Sequence, residues 1–202
     1  MHNKRITIGI DEVGRGPIAG PVCVGACMIL DSKRARKLFK GVRESKQLTE
    51  QKRTEWLIKM RNAQKEGYII FSMTMVSAGY IDTYGISPAI KKALKSSLYK
   101  AMHKAEAGCD DVHIELDGGL YAPPEFTSQK TYIKGDARFM SIALASIAAK
   151  VHRDTYMIRN AKKYPPYGFN IHKGYGTKSH YAALRKFGLS QLHRKSFLKK
   201  LI

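Results

Sequence analysis

The chain has 202 residues, 44% of them hydrophobic, with 36 Lys plus Arg against 16 Asp plus Glu and a formal charge of +20. That length supports one well-buried core without staples, and the composition excludes a disordered or fibrous chain. The positive excess goes beyond what solubility needs and points to a polyanionic partner, nucleic acid before an anionic membrane. No apolar stretch reaches membrane-spanning length. The basic start Met1-His2-Asn3-Lys4-Arg5 leads into an apolar run broken by Asp11 and Glu12, so no signal peptide is expected. Cys23, Cys27 and Cys109 are odd in number and sit in apolar contexts, as reduced core thiols of a cytoplasmic protein would. The 7 histidines show no ligand spacing with them, which argues against structural zinc.

In chain order, Ile6, Ile8 and Ile10 alternate with small or polar residues, the period of a strand with one buried face. Asp11 and Glu12 interrupt it before a Gly14-Arg15-Gly16-Pro17 turn. On a continuing strand they point to opposite faces. Both then serve one centre only if Glu12 also lends its backbone carbonyl, or if the strand ends there. Val22 to Leu30 reads as a hairpin partner. Lys33 to Lys46 reads as a basic surface loop, and Leu48 to Ala63 as a helix capped by Thr49. Tyr68 to Val76 is a third strand. Ser87-Pro88 opens a helix that runs over Ala89 to Ala107, with a Lys-rich outer face at Lys91, Lys92, Lys95, Lys100 and Lys104. Val112 to Leu116 is a short strand ending at Asp117-Gly118-Gly119, and Thr131 to Lys134 a last one ending at Gly135-Asp136. Met140 to about Lys162 is a long Ala- and Ile-rich helix, apolar nearly all round from Ala143 to Ala149 and hence buried against the sheet. Ser179 to Phe187 is a short helix, followed by a basic tail. This order gives an α/β mixed sheet with helices packed on it.

Asp11/Glu12, Asp117 and Asp136 share one context, a strand giving way to a Gly-containing turn. Ligands of α/β sheets gather at strand ends. If these strands are neighbours, the converging carboxylates repel unless divalent cations neutralise them. Oxygen-rich acidic sites select hard ions such as Mg²⁺ or Mn²⁺. Two such ions about 4 Å apart suit phosphodiester hydrolysis.

Ile10-Asp11-Glu12-Val13-Gly14-Arg15-Gly16-Pro17 resembles the signature of ribonuclease HII, the bacterial type 2 ribonuclease H. Further blocks follow in that family's order: Glu44-Ser45-Lys46-Gln47-Leu48, Asp117-Gly118, Lys134-Gly135-Asp136 with Ala145 to Asp154, His172 to Thr177, and His193 to Phe197. The chain departs at Glu44, where the family usually has Asp, and at Leu144, where it mostly has Ala. The resemblance implies a ribonuclease H-like fold over residues 1–202, three antiparallel strands then parallel ones, with 179–202 a basic helical tail packed on or beside it. It implies two-ion hydrolysis at Asp11, Glu12, Asp117 and Asp136, on the 5′ side of ribonucleotides in RNA–DNA hybrids or embedded singly in duplex DNA. It implies that Gly14, Arg15 and Gly16 grip the 2′-hydroxyl through backbone groups, and that Tyr175 bonds that hydroxyl and stacks on the next sugar. Ser45, Lys46, Ser146 and Lys150 match elements expected near backbone phosphates. For Ser146 and Lys150 the plain alternative is helix packing with a Lys reaching solvent. Asp154, beside Arg153 in mid-helix, reads as a structural partner.

Two rivals remain at this level. Ribonuclease HIII usually lacks the Arg between the turn glycines and carries an additional N-terminal domain. A basic binding module without catalysis would make the acids dispensable. The tail shows no clear sliding-clamp peptide, and a monomer is expected.

Overall fold

The computed structural model describes residues 5–42 and 48–199. Five strands form one mixed sheet in the order β3-β2-β1-β4-β5. β1 (Ile6–Val13) pairs antiparallel with β2 (Val22–Ile29), which pairs antiparallel with β3 (Ile69–Val76). On the other side of β1, β4 (Val112–Asp117) and β5 (Gln129–Tyr132) run parallel to it and to each other.

Helices cover both faces. On one, α4 (Ile86–Ala105) packs Ala93, Leu94, Leu98 and Ala101 against Ile8, Ile10, Val24 and Ile114. Its Lys-rich side faces out, as its periodicity predicts. On the other face lies α6 (Met140–Lys163), whose stretch from Ser141 to Ala149 is wholly buried. With α2 (Glu50–Lys65), it encloses Trp56, Leu57, Met60, Leu144 and Ile147. Two glycines let α6 sit this close. A Cβ on Gly9 would stand 2.0 Å from the Ser141 carbonyl carbon, and one on Gly25 2.2 Å from the Ala145 oxygen. The short side chains of α6 and the bare backbone of β1 and β2 are two halves of one contact.

Several expectations change. Lys33 to Lys46 is not a loop throughout: α1 (Ser32–Leu38) forms there, capped by Asp31, which accepts from Arg34 N at 2.9 Å. Residues 43–47, with Ser45 and Lys46, lie outside the described residues. A short helix, α3 (Ala78–Tyr84), precedes α4, and Gly85 at φ 88° ends one and starts the other. Ser87 is therefore inside α4 and not its cap; Pro88 still falls in the first turn, where its missing N–H costs nothing. β5 ends two residues earlier than expected because Lys134 adopts φ 54° and opens a helical turn, α5 (Gly135–Arg138). After α7 (Phe169–His172), the described part of the C-terminal segment is helical only in α8 (Lys178–Phe187) and in a single turn at Lys195–Phe197. Between them it adds a bridge, Ala19 to His193, beside the loop after β1. No helix among the described residues is long and apolar enough to cross a membrane.

Gly9→Ala should therefore cost about 2–4 kcal/mol of unfolding free energy, because its methyl meets helix backbone and not a side chain that can turn away. Urea denaturation checks it; an unchanged midpoint would contradict the seating of α6 described here.

Candidate active site

Side-chain alternation sets the acids. Gly9 faces α6, so Asp11 shares that face while Glu12 faces the α4 side. β1 continues to Val13, so Asp11 and Glu12 lie inside the strand and not at its end. On β4, Glu115 accepts a hydrogen bond from Ser141 Oγ of α6, which puts Asp117 on the α6 face too. The register pairs Ile10 with Leu116, making Asp11 and Asp117 lateral neighbours on strands about 4.8 Å apart. Asp136 joins through the turn after β5, where Gly135 N donates to Asp117 Oδ1 at 2.6 Å. Asp11, Asp117 and Asp136 are all buried, at 1%, 8% and 5% exposure.

The sheet thus sets Asp11 and Asp117 side by side on one face, the Gly135 contact holds the turn that carries Asp136 against Asp117, and the Glu12 side chain points to the other face. Asp136 sits in a helical turn, not at a strand tip, and β5 is polar where the shared-context argument supposed an apolar strand. Local donors already engage the carboxylates: Glu12 N donates to Asp11 Oδ1 at 2.8 Å, and Arg15 Nη1 lies 3.2 Å from Glu12 Oε1. As placed, no three His, Cys, Asp or Glu side chains among the described residues meet metal-site separations. The donor set is nonetheless hard, anionic and oxygen-only, the chemistry that suits Mg²⁺ or Mn²⁺.

Beside the acids, the Gly14-Arg15-Gly16 loop is shaped from behind. Gly14 has φ 92°, and a Cβ on it would fall 2.2 Å from Arg153 Nε. Arg153, on α6 and 0% exposed, donates to the carbonyls of Pro21 at 2.8 Å, Ala19 at 3.1 Å and Lys173 at 2.9 Å. Arg194, also 0% exposed, donates to those of Gly20 at 2.9 Å, Arg15 at 3.0 Å and Gly14 at 2.7 Å. Burial lowers the pKa of both guanidinium groups, that of Arg194 to about 9, with the neighbouring Arg153 charge adding to the effect there. Gly174 O accepts from Ile18 N at 3.0 Å and Ala19 N at 3.2 Å, strapping the Tyr175 segment to the same loop. Arg15, Gly16 and Tyr175 remain exposed.

The remaining candidates are less open. Ser146 is 1% exposed, so a phosphate contact from it needs local opening of the packing. Lys150 pairs with Asp154 at 2.9 Å, giving Asp154 the structural role expected, with Lys150 and not Arg153 as its partner. A cleft of about 770 Å³ lies at the β3 edge between α2 and α4, away from the acids; a duplex needs a surface, not a pocket, so the cleft does not compete as the site.

Arg153 and Arg194 are what the sequence reading missed. The signal for Arg153 was available: it continues the buried stripe of Ile142, Ala145, Ala149 and Met157 on α6, where a charge is out of place. Arg194 carries no such sign.

Family comparison adds the decisive observation: the model for ribonuclease HII matches residues 8–200. The chain belongs to the ribonuclease HII family. It is 43% identical over 189 residues to ribonuclease HII of Shouchella clausii (strain KSM-K16), covering 94% of this chain and 67% of that one. To the Caldicellulosiruptor bescii ribonuclease HII it is 40% identical over 198 residues, covering 98% and 89%. Among solved structures, ribonuclease HII of Archaeoglobus fulgidus, in a complex with PCNA, aligns with TM-score 0.72 at 23% identity over 94% of this chain and 93% of that one. Bst-RNase HIII in complex with Mn²⁺ aligns with TM-score 0.69 at 20% identity over 98% and 70%; these two likenesses speak to the fold. As a ribonuclease HII, the chain is a type 2 ribonuclease H, a hydrolase that cuts RNA–DNA hybrids internally.

Two outcomes follow from the buried groups. Arg194→Met should strand three carbonyls and cost about 3–5 kcal/mol, read by urea denaturation. His180 and His193 are buried, and desolvation first of all lowers their pKa values from 6.5 to about 4. The unfolded chain then takes up protons that the folded one refuses. Stability is full above about pH 6.5 and should fall as pH drops towards about 4. A denaturation midpoint that is flat across this window would contradict neutral burial of the pair.

Proposed function

We propose that the chain cleaves the phosphodiester on the 5′ side of a ribonucleotide, both in RNA–DNA hybrids and at single ribonucleotides embedded in duplex DNA. The products are a 3′-hydroxyl and a 5′-phosphate, and the cut begins ribonucleotide removal. The observation that carries this reading is the lateral placement of Asp11 and Asp117 on parallel strands, with the Asp136 turn bonded to Asp117.

Asp11, Asp117 and Asp136 would hold divalent ions through their carboxylates, and Glu12 through its backbone carbonyl. Two Mg²⁺ or Mn²⁺ ions, when bound, supply an activated water and neutralise charge on the leaving oxygen. The Mn²⁺ complex of the related Bst-RNase HIII supports this choice of ions. Specificity lies with the loops. Arg194 occupies the carbonyls of Gly14 and Arg15, so the loop turns its N–H groups to a 2′-hydroxyl, the group that separates RNA from DNA. Tyr175, exposed and strapped to that loop, contacts the same hydroxyl and the next sugar. Lys150, steered by Asp154, and the Lys-rich face of α4 bring cations to the backbone phosphates, with Ser45 and Lys46 as further phosphate contacts. The enzyme acts as a monomer, and the buried thiols of Cys23 and Cys27 support a reducing, cytoplasmic setting.

The test is a duplex DNA carrying one ribonucleotide, incubated with Mg²⁺, Mn²⁺ or chelator. Cutting should require the cation and stop at Asp117→Asn, with a loss beyond the about hundredfold typical of residues that merely support metal ligands and with binding retained. Undiminished cutting by Asp117→Asn would remove the metal assignment. Equal cutting of an all-DNA duplex would remove the roles given to Gly14-Arg15-Gly16 and Tyr175.

A further inference from the structure

Tyr175 stands between Gly174, at φ 89°, and Gly176; its N donates to the His172 carbonyl at 2.9 Å and its carbonyl accepts from Thr177 N at 2.9 Å. Behind it lie His172, His180 and His193, all buried. Ser190 N donates to His193 Nδ1 at 2.8 Å, so the neutral His193 carries its proton on Nε2. That nitrogen is 3.0 Å from His180 Nε2, which must then accept. His180 therefore holds its proton on Nδ1 and donates it to the Tyr175 carbonyl at 2.8 Å. Separately, His172 Nδ1 accepts from Gly174 N at 3.2 Å, so its Nε2 donates to the Tyr167 carbonyl at 2.6 Å. Each ring has one tautomer fixed by its neighbours; one chain ends at the Tyr175 carbonyl, and the other starts at Gly174 N and ends at the Tyr167 carbonyl.

We propose that His180, backed by His193, is a positioning residue for Tyr175, with His172 holding the adjoining peptide. Together with Thr177 N, which donates to the same carbonyl, the relay fixes the peptide plane from which the phenol is presented to the ribonucleotide. If His193 and His180 merely filled the core, they would need no shared direction of hydrogen bonds ending at the backbone of an exposed tyrosine. Desolvation keeps His180 and His193 neutral at the pH of any ordinary assay, so the relay persists there. The inference rests on the reading of Tyr175 as a substrate contact.

A double-mutant cycle on RNA–DNA hybrid cleavage tests it. His180→Leu should lower kcat/KM about tenfold in the parent, a loss typical of a misplaced contact group. In a Tyr175→Ala background the same change should matter within about twofold. His180→Asn, whose amide can donate from the position of Nδ1, should recover most of the parental rate. Equal losses in both backgrounds would overturn the positioning role while leaving Tyr175 a contact. Normal cleavage by Tyr175→Ala would overturn the reading of Tyr175 as well. Nitrogen-15 spectra of the unsubstituted protein give a readout that does not depend on a variant folding. The expected tautomers are Nδ1–H at His180 and Nε2–H at His172 and His193, and an Nε2–H tautomer at His180 overturns the relay.

Discussion

Two guanidinium groups buried among backbone carbonyls hold the working end of this protein together. Burying a cation is costly unless its donors are matched. Arg153 and Arg194 meet that demand with six carbonyls drawn from the loop after β1 and from Lys173. Carbonyl dipoles solvate the positive charge without neutralising it, and Asp154 and Asp82 are carboxylates that act on it from nearby. The matching is also geometric: a planar fork fits only one arrangement of carbonyls, and that arrangement is the conformation of the loop.

The acids answer a different constraint. A strand lends alternate residues to one face, and two parallel neighbours in register lend them side by side. Gly9 and Gly25 bring α6 against that face, and the turn before α6, which carries Asp136, bonds to Asp117 through Gly135 N. Helix seating and acid placement are consequences of one packing decision. In a chain of formal charge +20 the resulting anionic patch is a local exception, surrounded by the sign that draws a nucleic acid in.

Much of this was legible in the residues. β1, α2 and α4 carry the spacing of their elements, β2, β3 and α6 stand out as apolar runs, and the structure has all six within a few residues of expectation. α1 and α3 were not legible because each is 7 residues long and offers a thin apolar face; only their caps, Asp31 and Ser77, marked them. β5 is polar and is held in place by pairing with β4 and by Gln129, whose amide bonds Ala122 and Phe126. In the site, the acids were readable and matched family blocks. Arg153 could be read from the buried stripe it interrupts, but Arg194 could not, because in a basic chain a buried Arg outside such a stripe looks like any surface Arg until its carbonyl partners are known. The direction of the histidine relay likewise exists only in three dimensions.

The late position of Arg194 in the chain has a bearing on biosynthesis. The sheet, α4 and α6 are encoded earlier and can condense while translation is still under way. Gly14, Arg15 and Gly20 wait for a side chain 174 to 180 residues downstream before their carbonyls are engaged by it. Asp82 of α3 then clamps the arriving segment by accepting from Lys195 N and Ser196 N, each at 2.9 Å. A nascent ribosome-bound chain would accordingly set Asp11 beside Asp117 on the sheet before Arg194 fixes the loop at Gly14 and Arg15, so the conformation of that loop matures after the sheet.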